Sequence, residues 1–204
     1  MNTSNPINHP PQAVHLQPGD ALIVVDVQND FLPGGSLAVP HGDEVVAALN
    51  RYLASFQARS LPVYATRDWH PAGHCSFQSQ GGPWPPHCIV NTPGAQFAAN
   101  LQLPPSATVI SKATRPDKDA YSGFEGTDLD ARLRAAGVRR LFIGGLATDY
   151  CVLNTVRDAL SCGYQVFLLE DAIRAVNVQA NDGVKAERAM VAQGAVPMEW
   201  KMLS

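Results

Sequence analysis

Short, unbroken runs of Val, Ile and Leu alternate with amphipathic stretches along this chain of 204 residues. ALIVVDV (21–27), LPVYATR (61–67), ATVISKA (107–113), VRRLFIGG (138–145), YQVFLLE (164–170) and the weaker AVPME (195–199) read as strands. Their near-continuous apolar character marks strands covered on both faces. Between them lie DEVVAALNRYLASFQAR (43–59), DLDARLRAAG (128–137), TDYCVLNTVRDALSCG (148–163) and GVKAERAMVAQG (183–194). Helical spacing is plainest in the first, with Val45, Val46, Leu49, Leu53 and Phe56 on one face. In the third, Thr148 is placed to be the N-cap and Gly163 to end the helix. Strands alternating with helices imply an α/β fold: three α/β/α layers, Rossmann-like, around a mainly parallel six-stranded sheet. One domain is expected over 20–204, preceded by a loose arm, MNTSNPINHPPQAVHLQPG (1–19), rich in Pro and Asn and without periodicity.

Charge and hydropathy exclude several partners. Fifteen basic and eighteen acidic residues give −3, too mild a field to hold nucleic acid or an anionic membrane. The longest apolar run near the start, ALIVV, is far too short to span a bilayer. No Lys or Arg precedes Arg51, so a signal peptide with a basic head is not expected. The four cysteines then read as reduced thiols in a cytoplasmic protein. The sequence does not fix the oligomeric state, and a homo-oligomer is compatible with it.

In open α/β sheets, ligands gather beyond the carboxyl ends of the strands. Here those ends carry Asp26, then Asp68-Trp69-His70, then Lys112, then Cys151 in the first turn of the next helix. With Thr148 as N-cap, Cys151 falls at the third helical position, where backbone N–H groups and the helix dipole favour a thiolate and a developing oxyanion. A carboxylate beside it can take its proton and return it to a leaving group. Lys112 can hold that carboxylate ionised. On residue type alone each has an ordinary alternative: a packed cysteine, a loop-capping aspartate, a solvated lysine. Cys162 reads as packing, and Asp30 as a loop cap.

The segment DWHPAGHCSFQSQGGPWPPHCIVNTPG (68–94) has no convincing element of its own, yet holds three of the six histidines. Asp68 and His70 sit on alternate positions of an extended segment and can reach one ion, with His74 and His87 as further candidates. Such a set suits Zn, Fe or Mn with open positions. A structural zinc on His74-Cys75 and His87-Cys88 is a rival, as is a set of solvated loop histidines. Phe31, Trp69, Trp84 and Tyr121 lie in neighbouring loops and can wall a flat pocket or simply bury the long loop.

VVDVQNDFLPGG (24–35), TRDWHP (66–71), WPPHC (84–88), SK (111–112), YSGFEG (121–126) and GGLATDYCV (144–152) together resemble the nicotinamidase/pyrazinamidase branch of the isochorismatase-like cysteine hydrolases. The resemblance implies a triad of Asp26, Lys112 and Cys151. It implies one divalent metal ion on Asp68, His70 and His87, with His74 spaced more closely than in relatives that use a histidine there. It also implies a cis Leu146–Ala147 peptide, an oxyanion hole from the Ala147 and Cys151 N–H groups, and an aromatic pocket of Phe31, Trp84 and Tyr121. The implied activity is hydrolysis of nicotinamide to nicotinate and ammonia through a cysteine thioester, in NAD salvage. Two alternatives stand beside it: another amide hydrolase of the superfamily, maleamate- or carbamoyl-type, and a non-catalytic binding protein on the same scaffold.

Overall fold

The computed structural model describes residues 13–204. Six strands form one fully parallel sheet: β1 (Asp20–Val25), β2 (Val63–Asp68), β3 (Thr108–Lys112), β4 (Arg140–Leu146), β5 (Gln165–Arg174) and β6 (Val196–Met198). Their order across the sheet is β3-β2-β1-β4-β5-β6. Four helices cover it: α1 (Glu44–Ala58), α2 (Leu129–Ala135), α3 (Leu153–Ser161) and α4 (Asp182–Ala192). The unbroken apolar strands follow from this burial on both sides. In β1, Leu22 and Val24 join the core beneath α1, with Leu49, Leu53 and Phe56. Ala21, Ile23 and Val25 face the opposite core, with Leu129, Val156 and Met190 of α2, α3 and α4. Among the described residues, no helix is long and apolar enough to cross a membrane.

Strand order reverses between β1 and β4, so the chain leaves these neighbours in opposite directions and opens a crevice at their carboxyl ends. The two strands approach closely there. Gly145 pairs with Val25 and has φ +130°; a Cβ on it would lie 2.1 Å from the Val25 carbonyl oxygen. Only glycine fits a position that combines this backbone angle with this contact.

Several expected boundaries move for physical reasons. The first strand stops at Val25 rather than 27, because Asp26 turns the chain with φ +47°. The strand expected over 164–170 continues through Glu170 and Asp171 to Arg174, after an irregularity between Ile143 and Gly145 shifts its register with β4. The single helix expected over 148–163 is a π turn (148–152) followed by α3. Ala147, not Thr148, is the residue before it, and no side chain caps it. Thr148 is buried, and the wider turn is closed by the Val152 N–H donating to the Ala147 carbonyl at 3.1 Å. Cys151 is therefore the fourth residue of this turn, one place later than expected.

Of the expected arm, residues 1–12 lie outside the described residues. Residues 13–19 are tied down: Val14 pairs with Leu203, and the His15 carbonyl accepts a hydrogen bond from Arg140 at 2.8 Å.

Candidate active site

Four strand ends bring their reactive groups together around Lys112. Its Nζ lies 2.9 Å from Asp26 Oδ2 and 3.4 Å from Cys151 Sγ, donates to the Ala120 carbonyl at 3.1 Å, and makes a short contact with Asp68 Oδ1. Asp26 is 0% exposed, Lys112 1% and Cys151 6%. One oxygen of Asp26, one of Asp68 and the sulfur all lie within 4.8 Å of one another. Thr66 Oγ1 donates to the other Asp26 oxygen at 2.6 Å and fixes the carboxylate plane.

Charge and burial compete in this cluster. Burial pushes the Asp26 carboxyl up, with Lys112 opposing and Asp68 adding to the rise. Burial likewise pushes the Cys151 thiol well up, against the pull of Lys112. For Lys112, burial alone would favour the neutral amine, but Asp26, Asp68 and Cys151 outweigh it and hold the ammonium charged. The resting arrangement is thus a neutral thiol beside a carboxylate made unusually basic, with a fixed cation between two anions. That suits proton transfer on demand better than a standing thiolate.

The second cluster adjoins the first through Asp68. His70 Nε2 lies 3.5 Å and His87 Nε2 3.9 Å from Asp68 Oδ2. A short parallel bridge between His70 and Ile89 draws the two halves of the 68–94 loop together. The His70 N–H donates to the Cys88 carbonyl at 3.0 Å, and the Val90 N–H donates to the His70 carbonyl at 2.9 Å. Each ring nitrogen Nδ1 faces a backbone carbonyl, Ala113 for His70 (3.3 Å) and Pro85 for His87 (2.8 Å). A carbonyl can only accept, so the proton lies on Nδ1 and each Nε2 is left as a lone-pair donor, within 4.8 Å of the other and of the Asp68 carboxylate. His70 Nε2 is buried without a hydrogen-bond partner. Burial holds His87 below the usual imidazole range, against the pull of Asp68. Two imidazoles oriented by backbone carbonyls and a carboxylate that Lys112 holds ionised against its burial fit a divalent cation.

His74 is not part of this set. Its Nδ1 lies 2.7 Å from Ser76 Oγ and its Nε2 3.2 Å from the Lys118 carbonyl, while its ring packs 4.2 Å from that of His70. Both its ring nitrogens are engaged, so it packs against His70 rather than offering a free lone pair to the set. Among the described residues, neither group able to hold a metal contains Cys75 or Cys88, so the rival cysteine–histidine zinc is not assembled. Cys88 is buried, with its thiol pushed up by that burial.

One pocket opens onto both clusters, lined by Cys151, Ala147, Asp68, His70 and His87 and walled by Phe31, Trp84 and Tyr121. Trp84 Nε1 donates to the Tyr121 hydroxyl at 3.0 Å. Trp69 is absent from the wall; it packs on the core with the Arg67 guanidinium 3.6 Å above its ring. The Leu146–Ala147 peptide is cis.

Two contributors, Tyr150 and Gln28, were not legible in the sequence, and a third, Asp30, was legible only as a loop cap and not by its partner. Tyr150 joins the aromatic wall, 5.0 Å from Trp84 and 5.6 Å from Tyr121 between ring centroids. Gln28 brackets the backbone of Asp68: its Oε1 accepts the Asp68 N–H at 2.8 Å, and its Nε2 donates to the carbonyls of Asp68 (2.8 Å) and Ala95 (2.9 Å). Asp30 acts as the expected loop cap, but across the chain: its Oδ2 accepts the Cys88 N–H at 2.7 Å, next to His87. We expect Asp30→Ala to release this loop and to weaken by about 10–100-fold the affinity for any divalent ion that His87 would help to hold. A competition titration against a zinc chelator reads this directly, and unchanged affinity contradicts it.

These features agree with known proteins. A model of the isochorismatase domain matches residues 20–202. The nicotinamidase of Escherichia coli (strain K12) is 43% identical over 199 residues, covering 87% of this chain and 93% of that one. A pyrazinamidase of Pyrococcus horikoshii, solved in complex with zinc, superposes with a TM-score of 0.86 at 50% identity, covering 90% of this chain and 100% of that one. PnC1 from L. infantum, solved in complex with nicotinate, gives a TM-score of 0.86 at 36% identity over 94% of this chain and 98% of that one. The order of the sheet, the crevice at its switch point and these matches agree: the chain belongs to the isochorismatase domain family.

Proposed function

We propose that this chain is a nicotinamidase, hydrolysing the carboxamide of nicotinamide to nicotinate and ammonia, with pyrazinamide as a second substrate, and that it serves NAD salvage. The observation that carries this reading is the contact of one buried ammonium with Asp26, Asp68 and Cys151, the last two lining the same pocket as His70 and His87.

Asp26 takes the thiol proton of Cys151 as the sulfur forms its bond to the carboxamide carbon. Negative charge develops on the carboxamide oxygen, where the Ala147 and Cys151 N–H groups receive it. Asp26 returns its proton to the nitrogen, the C–N bond breaks, and ammonia leaves a thioester on Cys151. Asp26 then takes a proton from water, whose oxygen attacks the thioester carbon. The C–S bond breaks, Asp26 returns this proton to the sulfur to restore the thiol, and nicotinic acid leaves, losing its proton to solvent as nicotinate. Lys112 keeps the carboxylate oriented and ionised between steps. Asp68, His70 and His87 would hold a divalent ion, which would supply a Lewis acid toward the ring nitrogen of the substrate. Phe31, Trp84, Tyr121 and Tyr150 sandwich the flat ring and exclude water. The mechanism requires a reduced Cys151, which supports a cytoplasmic location.

The protein is expected to release ammonia from nicotinamide and pyrazinamide far faster than from ureido or carbamoyl amides. Chelation should remove at least about 100-fold of that activity, and added zinc should restore it. Faster turnover of a carbamoyl amide would overturn the substrate assignment, and full activity after verified metal removal would overturn the anchoring role.

A further inference from the structure

Lys112 occupies the centre of what would otherwise be a second metal site. Asp26, Asp68 and Cys151 offer two carboxylate oxygens and a sulfur within 4.8 Å of one another. All three are buried, and Asp26 Oδ2 faces the ammonium without a directed hydrogen bond. Ligand atoms around one tetrahedral zinc lie about 3.5 Å apart, at bond lengths of about 2.0–2.3 Å. Only a modest contraction separates the present cluster from that geometry. Carboxylate with thiolate is a donor set that zinc and cobalt accept readily.

Asp68 belongs to both clusters. Its Oδ1 contacts Lys112, while its Oδ2 faces His70 and His87. A cation in the inner cluster would thus neighbour the one proposed on the histidine side, and it would sit on the sulfur that must attack. An ammonium carries the needed positive charge and forms no coordinate bond, so it neutralises the carboxylates and leaves the sulfur free to react.

We propose that Lys112 is a resident cation that keeps divalent metal out of the Asp26–Asp68–Cys151 cluster, confining metal to the histidine side. This role is separate from orienting the base, and it rests on the reading that Asp68, His70 and His87 hold one ion.

Cobalt(II) tests the exclusion, because a thiolate ligand adds a near-ultraviolet charge-transfer band that carboxylate and imidazole ligands do not. Wild-type protein is expected to bind one equivalent without the band. Lys112→Ala should bind two equivalents and show it, the thiol proton passing to the buffer on binding. Lys112→Ala/Cys151→Ser should lose the band. Lys112→Gln, which keeps most of the buried stem, is the second variant in case the alanine form does not fold. A folded Lys112 variant that binds no more cobalt than wild type and shows no band overturns the proposal. So does a wild-type protein that develops the band at saturating cobalt. The gain is read as a difference from wild type, so it is judged whether or not the histidine side is filled. Wild-type protein taking up no cobalt would overturn the one-ion reading instead.

Discussion

Cys151→Ala is expected to abolish ammonia release from nicotinamide, a loss of about 10⁴-fold or more, while the protein stays folded. Among the described residues lining the pocket, Cys151 supplies the one thiol, and removing a nucleophile can cost as much as removing the whole catalytic set. The fold should tolerate the change. The side chain is small, and the π turn that carries it is closed by backbone hydrogen bonds. Losing one buried sulfur costs about 1–2 kcal/mol, a fall of about 2–8 °C in melting temperature for a chain of this size. Ammonia assays with a thermal melt separate the two effects. Release within tenfold of wild type would contradict covalent catalysis.

Asp26→Asn should cost about 10³–10⁴-fold in kcat, with KM little changed, because the same carboxylate moves protons in both half-reactions. The substitution is unusually clean. Asp26 sits at φ +47°, a region asparagine also tolerates, and an amide oxygen can still accept the 2.6 Å hydrogen bond from Thr66. The shape of the site is therefore kept while the base is lost. Lys112 keeps Asp68 as its counter-charge. A variant retaining more than a tenth of wild-type kcat would move the role of base elsewhere.

The parts of this site that could be read from the sequence share a property. Asp26, Asp68, Lys112 and Cys151 each end or follow an apolar run, and a parallel sheet aligns such ends by its own geometry. The sheet was legible for the same reason: strands buried on both faces leave long apolar signatures. β5 was read short because Glu170 and Asp171 interrupt its signature; Asp171 accepts the buried Tyr52 hydroxyl at 2.8 Å, a contact 119 residues away in sequence. The clamps were hidden likewise. Gln28 on Asp68 and Asp30 on Cys88 are side-chain-to-backbone bonds spanning 40 and 58 residues, and such bonds have no periodicity to reveal them. Tyr150 lies in the π turn, and its contacts with Trp84 and Tyr121 join residues 66 and 29 positions away, which no local pattern reveals. The candidate metal ligands stood out only by residue type, since the bridge joining His70 to Ile89 unites two stretches of irregular loop.

Rapid acid quench of wild-type protein turning over nicotinamide, followed by peptide mass mapping, reports most directly on whether the sulfur does the chemistry. One nicotinoyl group on the peptide carrying Cys151, gained and lost at rates that match ammonia release, is the predicted result. A burst of ammonia with Cys151 unmodified at every time point would contradict it.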